Sequence, residues 1–496
     1  MTAPVRVAGA RAGAGSAFDP SSLAVLRFAF GSILAWEVWR AFDGNLIRAD
    51  YDLPTFHFRW WLFEWVRPFP GIWIYVAFVV LGLAAVCVAL GAFYRYATVV
   101  QFLGVGYWFL LDKSSYLNHR YLATIFAFLL IFVPAHASWS VDALRRKGRP
   151  SVGGWAVWLL RFQVGVPYFF AGIAKLNYDW LVRNEPLRIW FAQKTDFPVI
   201  GVLLDDPGFV RFLAYSSAAL DLFVPFLLLH RRTRTLAYGV AVLFHLMNSR
   251  LFDIGIFPWM MIAATTVFFE PDWPRRLVRA LRGGPMLLRT GTIAGGVGGF
   301  LVGGLLPPSF VPLQACMGAF GVAVFVFHLL EARTDAMPAV RETGSALRPF
   351  AVACLALWMA VQLLVPLRHF VYPGNVAWTE EGQRFSWHML LNTKSALVGF
   401  LVTEPATGRR WVEPLQQHLS GYQIRKLKSP DMILTFAHEI ERFYREQGLE
   451  DVEVRAETRV SLNGRDPRRL IVPRVDLTAV KRPYLPTADW IRPLRE

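Results

Sequence analysis

The chain reads as a polytopic, all-α transmembrane bundle of about ten to eleven spans, followed by a C-terminal extracytoplasmic α+β domain. Three observations predict this. Hydrophobic residues make up 55% of the chain, and charged residues only 18%, against about 25% in soluble globular proteins. Mean hydropathy is +0.37. The 19 Trp and 15 Tyr suit aromatic belts at the two membrane surfaces. The net charge of +16 comes from Arg clusters lying between hydrophobic segments, with no nucleic-acid-binding motif among them.

The segment 1–20 is Ala/Gly/Arg-rich and reads as a disordered tail. No small-residue cleavage site follows a short apolar core, so no cleaved signal peptide is expected. Apolar stretches near 22–42, 71–92, 97–111, 119–135, 154–174, 208–229, 235–251, 254–270, 288–306 and 309–331 fit spans, and 348–366 makes an eleventh. Asn248, Ser249, Arg250 and Asp253 interrupt the pair 235–251 and 254–270, which suits a broken or re-entrant hairpin. Basic residues at 145–149, 231–234, 275–282 and 333–348 all fall on one side if every span crosses. That side is expected to be cytoplasmic, together with the N-terminus, in a cell (inner or plasma) membrane. The helical domain then occupies 21–370, and 371–496 lies outside. Within 371–496, Ser395 to Glu413 reads as a hairpin. Ser429-Pro430 opens a helix with Met432, Ile433, Phe436, Ile440 and Phe443 on one face. Val452 to Leu462 alternates as a half-buried strand.

Cys87, Cys316 and Cys354 each lie in apolar stretches, which suits inert core thiols. No metal-ligand spacing is present, so no metal is expected. The glycines at 295–299, 303 and 304 suit close helix packing, and no strand precedes them to make a nucleotide loop.

Polar side chains inside a bilayer are costly and therefore candidates for function. Lys175 closes the apolar run Val164 to Ala174. By position alone such a lysine commonly snorkels to the interface. In low-dielectric surroundings its neutral form is favoured, and a neutral amine is a base. Arg27, Arg161 and Asp221 fit structural pairing between helices. His245 and Asn248, three residues apart, share one helical face. His136 falls at the cytoplasmic end of the fourth span, where a loop or cap role is the ordinary one.

Several stretches resemble the vitamin K-dependent gamma-glutamyl carboxylases, whose bacterial members carry the horizontally transferred transmembrane (HTTM) domain. They include Ser22 to Gly31, Phe109 to Ser115 with Asn118 to Leu122, Trp139 to Asp142, Ala171 to Leu176 with Asp179-Trp180, and His245 to Gly255. Pro271 to Pro274, Phe385 to Met389 and Pro473 to Asp476 continue the likeness. The resemblance spans roughly residues 20–280 and 345–480. It implies that Lys175 is the base that deprotonates reduced vitamin K (a hydroquinone or menaquinol). Oxygenation by O2 to the epoxide then yields a base strong enough to take the γ-proton of a protein glutamate, and the carbanion adds CO2. The same resemblance implies His136, His245, Asn248, Phe257, Met261, Trp387 and Met389, with Pro258 and Leu390, as quinone- or substrate-binding positions. It also implies a quinone reductase that supplies the hydroquinone, and a glutamate-containing peptide or protein as substrate, with the lipid bilayer around the helices.

Two departures stand out. Pro258 replaces a serine of the animal enzymes, and His136 stands one residue from their helper histidine. Their disulfide cannot form, because no cysteine lies outside the spans. Two other readings fit the same residues: an enzyme that epoxidises vitamin K without carboxylating protein, and a non-catalytic quinone-binding or transport protein. Transporters show repeated halves with paired interrupted spans; only one interrupted pair occurs here.

Overall fold

The computed structural model describes residues 16–145, 151–198, 200–252, 254–305, 312–331, 342–343, 348–481 and 489–494. Its membrane part is built from α1 (Ser21–Asp43), α2 (Ile72–Leu90), α3 (Tyr94–Leu111), α4 (Asn118–Phe132), α5 (Gly154–Lys175), the short α6 (Leu187–Phe191), α7 (Pro207–Leu229), α8 (Arg234–Leu251), α9 (Phe257–Thr265), α10 (Trp273–Gly283), α11 (Met286–Leu305), α12 (Pro312–Glu331) and α13 (Pro349–Leu367). Among the described residues, seven helices are long and apolar enough to cross a membrane: α1, α2, α5, α7, α11, α12 and α13.

The chain also runs between the two ends of the bundle at α3, α4, α8 and α9. At one end, Asp112 accepts a hydrogen bond from Gln423 (2.8 Å), and Asn118 donates to the His388 carbonyl (3.0 Å). At the other, Tyr94 donates to the carbonyls of Leu130 and Val133, and Arg234 reaches Glu270. The expected span at 254–270 is much shorter than a membrane. It is nine residues of α-helix with a 3-10 turn at Thr266–Phe268, about 18 Å at roughly 1.5 Å per residue. Arg161 on α5 caps it by donating to the carbonyls of Val267, Phe268 and Phe269. The guanidinium is thus structural, as its position suggested.

Small residues set how closely the helices pack, because lipid gives no hydrophobic drive for their association. Gly299 on α11 faces Gly318 on α12 so closely that a Cβ would sit 2.3 Å from the Gly318 carbonyl oxygen. Gly172 on α5 meets α7 in the same way; a Cβ there would lie 2.6 Å from the Leu222 nitrogen.

Arg231, Arg234, Arg275 and Arg276 gather at one end of the bundle around Glu270, Asp19, Asp272 and Glu331. Arg146, Lys147, Arg149, Arg333, Arg341 and Asp253 lie outside the described residues, as do residues 1–15 of the tail. The last tail residues are ordered, contrary to expectation. Ser16–Phe18 forms β1, which pairs with β2 (Val152–Gly153) and β3 (Glu342–Thr343). The ladder gives these polar backbone groups partners that a free tail lacks.

The C-terminal part holds α14 (Val376–Thr379), β4 (Lys394–Glu404), β5 (Arg409–Val412), α15 (Gly421–Lys426), α16 (Pro430–Glu446) and β6 (Glu453–Leu462). The sheet order is β5-β4-β6, all antiparallel, with Val402 opposite Val454. Met432, Ile433, Phe436 and Ile440 of α16 are buried with Phe400, Val402, Val454 and Ala456. Phe56 and Phe58, from the α1–α2 connection, belong to the same core. They tie the sheet to the bundle.

Candidate active site

α5 ends at Lys175, but α7 continues well beyond it. Asp221 lies about 21 Å along α7 from Pro207, at roughly 1.5 Å per residue. The α5–α7 approach at Gly172 brings the two side chains into a buried ion pair, Lys175 Nζ with Asp221 Oδ2. Each is about 5% exposed. Snorkelling to the interface is therefore not what Lys175 does. Its Nζ also lies 5.3 Å from the Trp180 ring and 5.8 Å from that of Phe244.

The pair faces a cavity of about 1360 Å³. One arm is apolar, walled by Leu187, Phe191, Phe212, Leu213, Leu220, Val240, Leu243, Phe244, Met247, Leu251, Phe252 and Phe257. Phe212, Val240 and Leu243 are also exposed on the outside of the bundle, so this arm reaches the surface between α7 and α8. The other arm is polar and runs under the C-terminal part, past Glu37, Arg40, Asp50, Arg120, Gln416, Tyr422 and Arg425. The break between α8 and α9 lines the cavity through Phe252, Ile254 and Gly255. Irregular backbone at membrane depth survives where it faces such a space.

His245 is 2% exposed. Its Nε2 lies 2.7 Å from Tyr168 Oη, and Tyr168 lies 3.4 Å from Thr265. Among the described residues, His245 Nδ1 is buried with no partner. A buried ring nitrogen without a partner is costly, which marks it as a place where a ligand hydroxyl can bind. Tyr168 is seven residues before Lys175, two turns up the same face of α5.

Five sequence-predicted positions converge here with Lys175: His245, Asn248, Phe257, Met389 and Leu390 all line the cavity. Four others do not. His136 sits near the opposite end of the bundle, stacked on Tyr94 at 4.6 Å, because α4 carries it away from Lys175. Met261 is fully buried, and its carbonyl accepts from Thr265 (2.6 Å). Pro258 is buried beside it on α9. Trp387 is fully buried against Tyr121 (5.0 Å) in the hydrophobic core of the bundle. Its loop has positive φ at Phe385, Trp387 and Leu390, which turns the indole away from the cavity while Met389 and Leu390 enter it. Tyr168, His119, His388 and Asp221 also line the cavity, although the sequence reading did not place them in the site.

The roof is held by charge. Burial alone would raise the Asp179 carboxyl, but bonds from Arg465 (2.7 Å to each oxygen) and Asn463 (2.7 Å) hold it below the usual carboxylate range. Lys113 pairs with Asp431 (2.7 Å), which Arg384 also contacts (2.9 Å). Burial opposes ionisation of Asp431 as well, yet these two cations hold it well below its ordinary value. Its side chain is 44% exposed, so solvent weakens the pairing.

Residues 16–273 match the HTTM domain, and residues 347–496 match the lumenal domain of vitamin K-dependent gamma-carboxylase. The first match covers more than half of the chain, which makes this an HTTM-domain membrane protein. With the second, the protein belongs to the vitamin K-dependent gamma-glutamyl carboxylase family. No solved structure matches the chain.

Proposed function

We propose that the protein is an integral-membrane vitamin K-dependent gamma-glutamyl carboxylase, with Lys175 as the initiating base. The observation that carries this is the buried Lys175–Asp221 pair facing a cavity with one apolar and one polar arm. The apolar arm suits a prenylated naphthohydroquinone: five phenylalanines line it, and an amine and an unpartnered imidazole nitrogen meet its hydroxyls. The opening between α7 and α8 lets such a molecule arrive from the lipid. At about 1360 Å³ the cavity exceeds the roughly 300–1,000 Å³ usual for one ligand, leaving room for a second reactant.

Reduced vitamin K supplies the oxygen-driven base that the γ-proton of glutamate requires. The chain's own residues prepare it. Asp221 lies within hydrogen-bond reach of Lys175 Nζ and is the group that can take its proton, which would free the amine lone pair. The amine then takes the proton of the bound hydroxyl. His245, fixed by Tyr168, orients the ring. The apolar walls keep out water, which would quench both the base and the carbanion.

The basic end of the bundle faces the cytoplasm in this reading, and the C-terminal part lies outside. External thiol labelling should modify Arg409→Cys and spare Arg232→Cys; the reverse pattern would invert the topology. The activity is tested by incubating purified enzyme with reduced vitamin K, O2, bicarbonate and a glutamyl peptide. Mass spectrometry should find vitamin K epoxide and a peptide that has gained CO2. Epoxide without CO2 gain would support the epoxidase reading instead, and neither product would end both.

A further inference from the structure

The polar arm of the cavity contains charge that the proposed quinone chemistry does not use. Arg120, in the first turn of α4, stacks over Trp108 at 4.8 Å and donates one Nη1 bond to Tyr51 Oη (3.1 Å). Among the described residues, its Nε is buried without a partner. A guanidinium carries five N–H donors, and among the described residues no carboxylate lies within ion-pair distance of it. Arg425, on α15 of the C-terminal part, lines the same arm and likewise forms no ion pair among the described residues. Carboxylates lie near the two arginines, but among the described residues none is paired with either. Glu37 is already held by Arg40 at 3.0 Å. Asp50 remains, and burial pushes its carboxyl up despite Arg120 and Arg425 nearby. A half-buried guanidinium pinned by an indole and a phenol, with its buried Nε unmatched among the described residues, is organised for an anion.

We propose that Arg120 and Arg425 form a carboxylate-binding site that draws an acidic peptide into the polar arm, with its side chain directed toward Lys175. This rests on the carboxylase reading, since it names the anchor for that reading's second reactant. The site straddles the junction between the bundle and the C-terminal part. An extended peptide can therefore lie along the groove while one side chain enters it. Gln416 and Gln417 line the same stretch and offer amides to its backbone. An anionic lipid headgroup offers related chemistry from the outer leaflet, so the test separates the two sources.

Full-length protein is reconstituted in phosphatidylcholine nanodiscs, without quinone, and titrated with a fluorescent pentapeptide bearing one glutamate. The same peptide with glutamine is the control. Fluorescence anisotropy should show the glutamyl peptide binding at least tenfold more tightly. Arg120→Gln and Arg425→Gln should each remove most of that preference, and Arg120→Lys should keep part of it. Thermal unfolding shows whether each variant is folded; Arg425 is itself exposed, so glutamine is tolerated there. Equal binding of the two peptides by the wild type would overturn the proposal. So would an undiminished preference in folded Arg120→Gln and Arg425→Gln. If phosphatidylglycerol nanodiscs abolish peptide binding in the wild type but not in Arg120→Gln, the anion is lipid and the peptide site is refuted. The assay does not depend on quinone chemistry. Glutamyl-selective binding in an enzyme that forms no epoxide would leave the site standing and remove the proposed activity.

Discussion

Two buried lysine–carboxylate pairs occupy different regions of this molecule, and they do different work. Lys394 on β4 donates to the Trp378 carbonyl (2.6 Å) and pairs with Glu380 (2.9 Å), and its side chain is 1% exposed. It does not line the cavity. Lys175 has one hydrogen-bond partner among the described residues, Asp221, and faces about 1360 Å³ of space. An ammonium has three donors. At Lys394 two are matched inside the protein, so the charge is fixed and the pair is a brace. At Lys175 the surroundings are aromatic faces and a void, so the pair has a free direction in which to exchange a proton. On the proposed function, the difference between the two pairs lies in what surrounds them, not in the residue types in them.

The largest expected difference is in turnover. Lys175→Ala should abolish vitamin K epoxidation, since a positioned general base contributes about 10²–10⁴-fold and everything downstream depends on it. Lys175→Arg should fail as well, because a guanidinium stays protonated. A small exogenous amine should restore part of the activity of Lys175→Ala, because the truncation leaves room beside Asp221. Lys394→Ala should epoxidise at the wild-type rate per folded molecule while losing thermal stability. Full epoxidation by Lys175→Ala without added amine would reduce Lys175 to a brace like Lys394.

A smaller effect is expected from the packing that creates the reactive pair. Gly172→Leu adds a side chain where a Cβ alone would lie 2.6 Å from the Leu222 nitrogen. α5 and α7 must then separate near Lys175 and Asp221. Overpacking of this kind costs about 1–3 kcal/mol, and a shift of about 1 Å at a reacting group can cost roughly 10²-fold in rate. Turnover should therefore fall by about that factor, with the variant still inserted and folded. Wild-type turnover in Gly172→Leu would show that the close approach of the helices does not set the pair.

Much of this was legible beforehand, and the limits have physical causes. Lys175 showed itself because a cation ending an apolar run is expensive in lipid. Asp221 was legible as a residue that pairs between helices, but not as the partner of Lys175. Pairing across helices depends on how far α7 overshoots α5, and the connection of residues 176–206 that sets the offset carries no long periodic signal. The C-terminal sheet, with α16 against it, followed from alternation and from Ser429-Pro430. The insertion of Phe56 and Phe58 into that core could not be read, because two aromatics in a long connection have no period to say which way they turn. Trp387 and Met389 were expected to share the cavity. The positive φ at Phe385, Trp387 and Leu390 turns them apart, and residues other than glycine give little warning of such a backbone. His136 was read from position as lying at the other end of the fourth span, where it is found on Tyr94; the resemblance alone had brought it into the site. Tyr168 was available in principle, since a spacing of seven from Lys175 puts it on the same face.

The smallest expected effect concerns the brace, and it is read in stability against pH. Burial raises the Glu380 carboxyl, but its bond and charge contact with Lys394 outweigh that and bring it below the ordinary value. A carboxylate depressed in the folded state stabilises fully above its unfolded value of about 4.3. That contribution is lost as the pH falls through the lower folded value. Burial also disfavours the Lys394 ammonium, so removing its partner leaves a poorly compensated charge. Glu380→Gln keeps the shape and one acceptor, so the loss at pH 7 should fall at or below the low end of the roughly 3–5 kcal/mol seen when a buried pair is broken. Denaturant unfolding of the wild type and the variant should give that gap at pH 7. The gap should narrow as the pH is taken below about 4, because the wild type then loses what the variant never had. A gap that stays constant through this range would mean that Glu380 stabilises by packing and that the Lys394 pair is not the brace described.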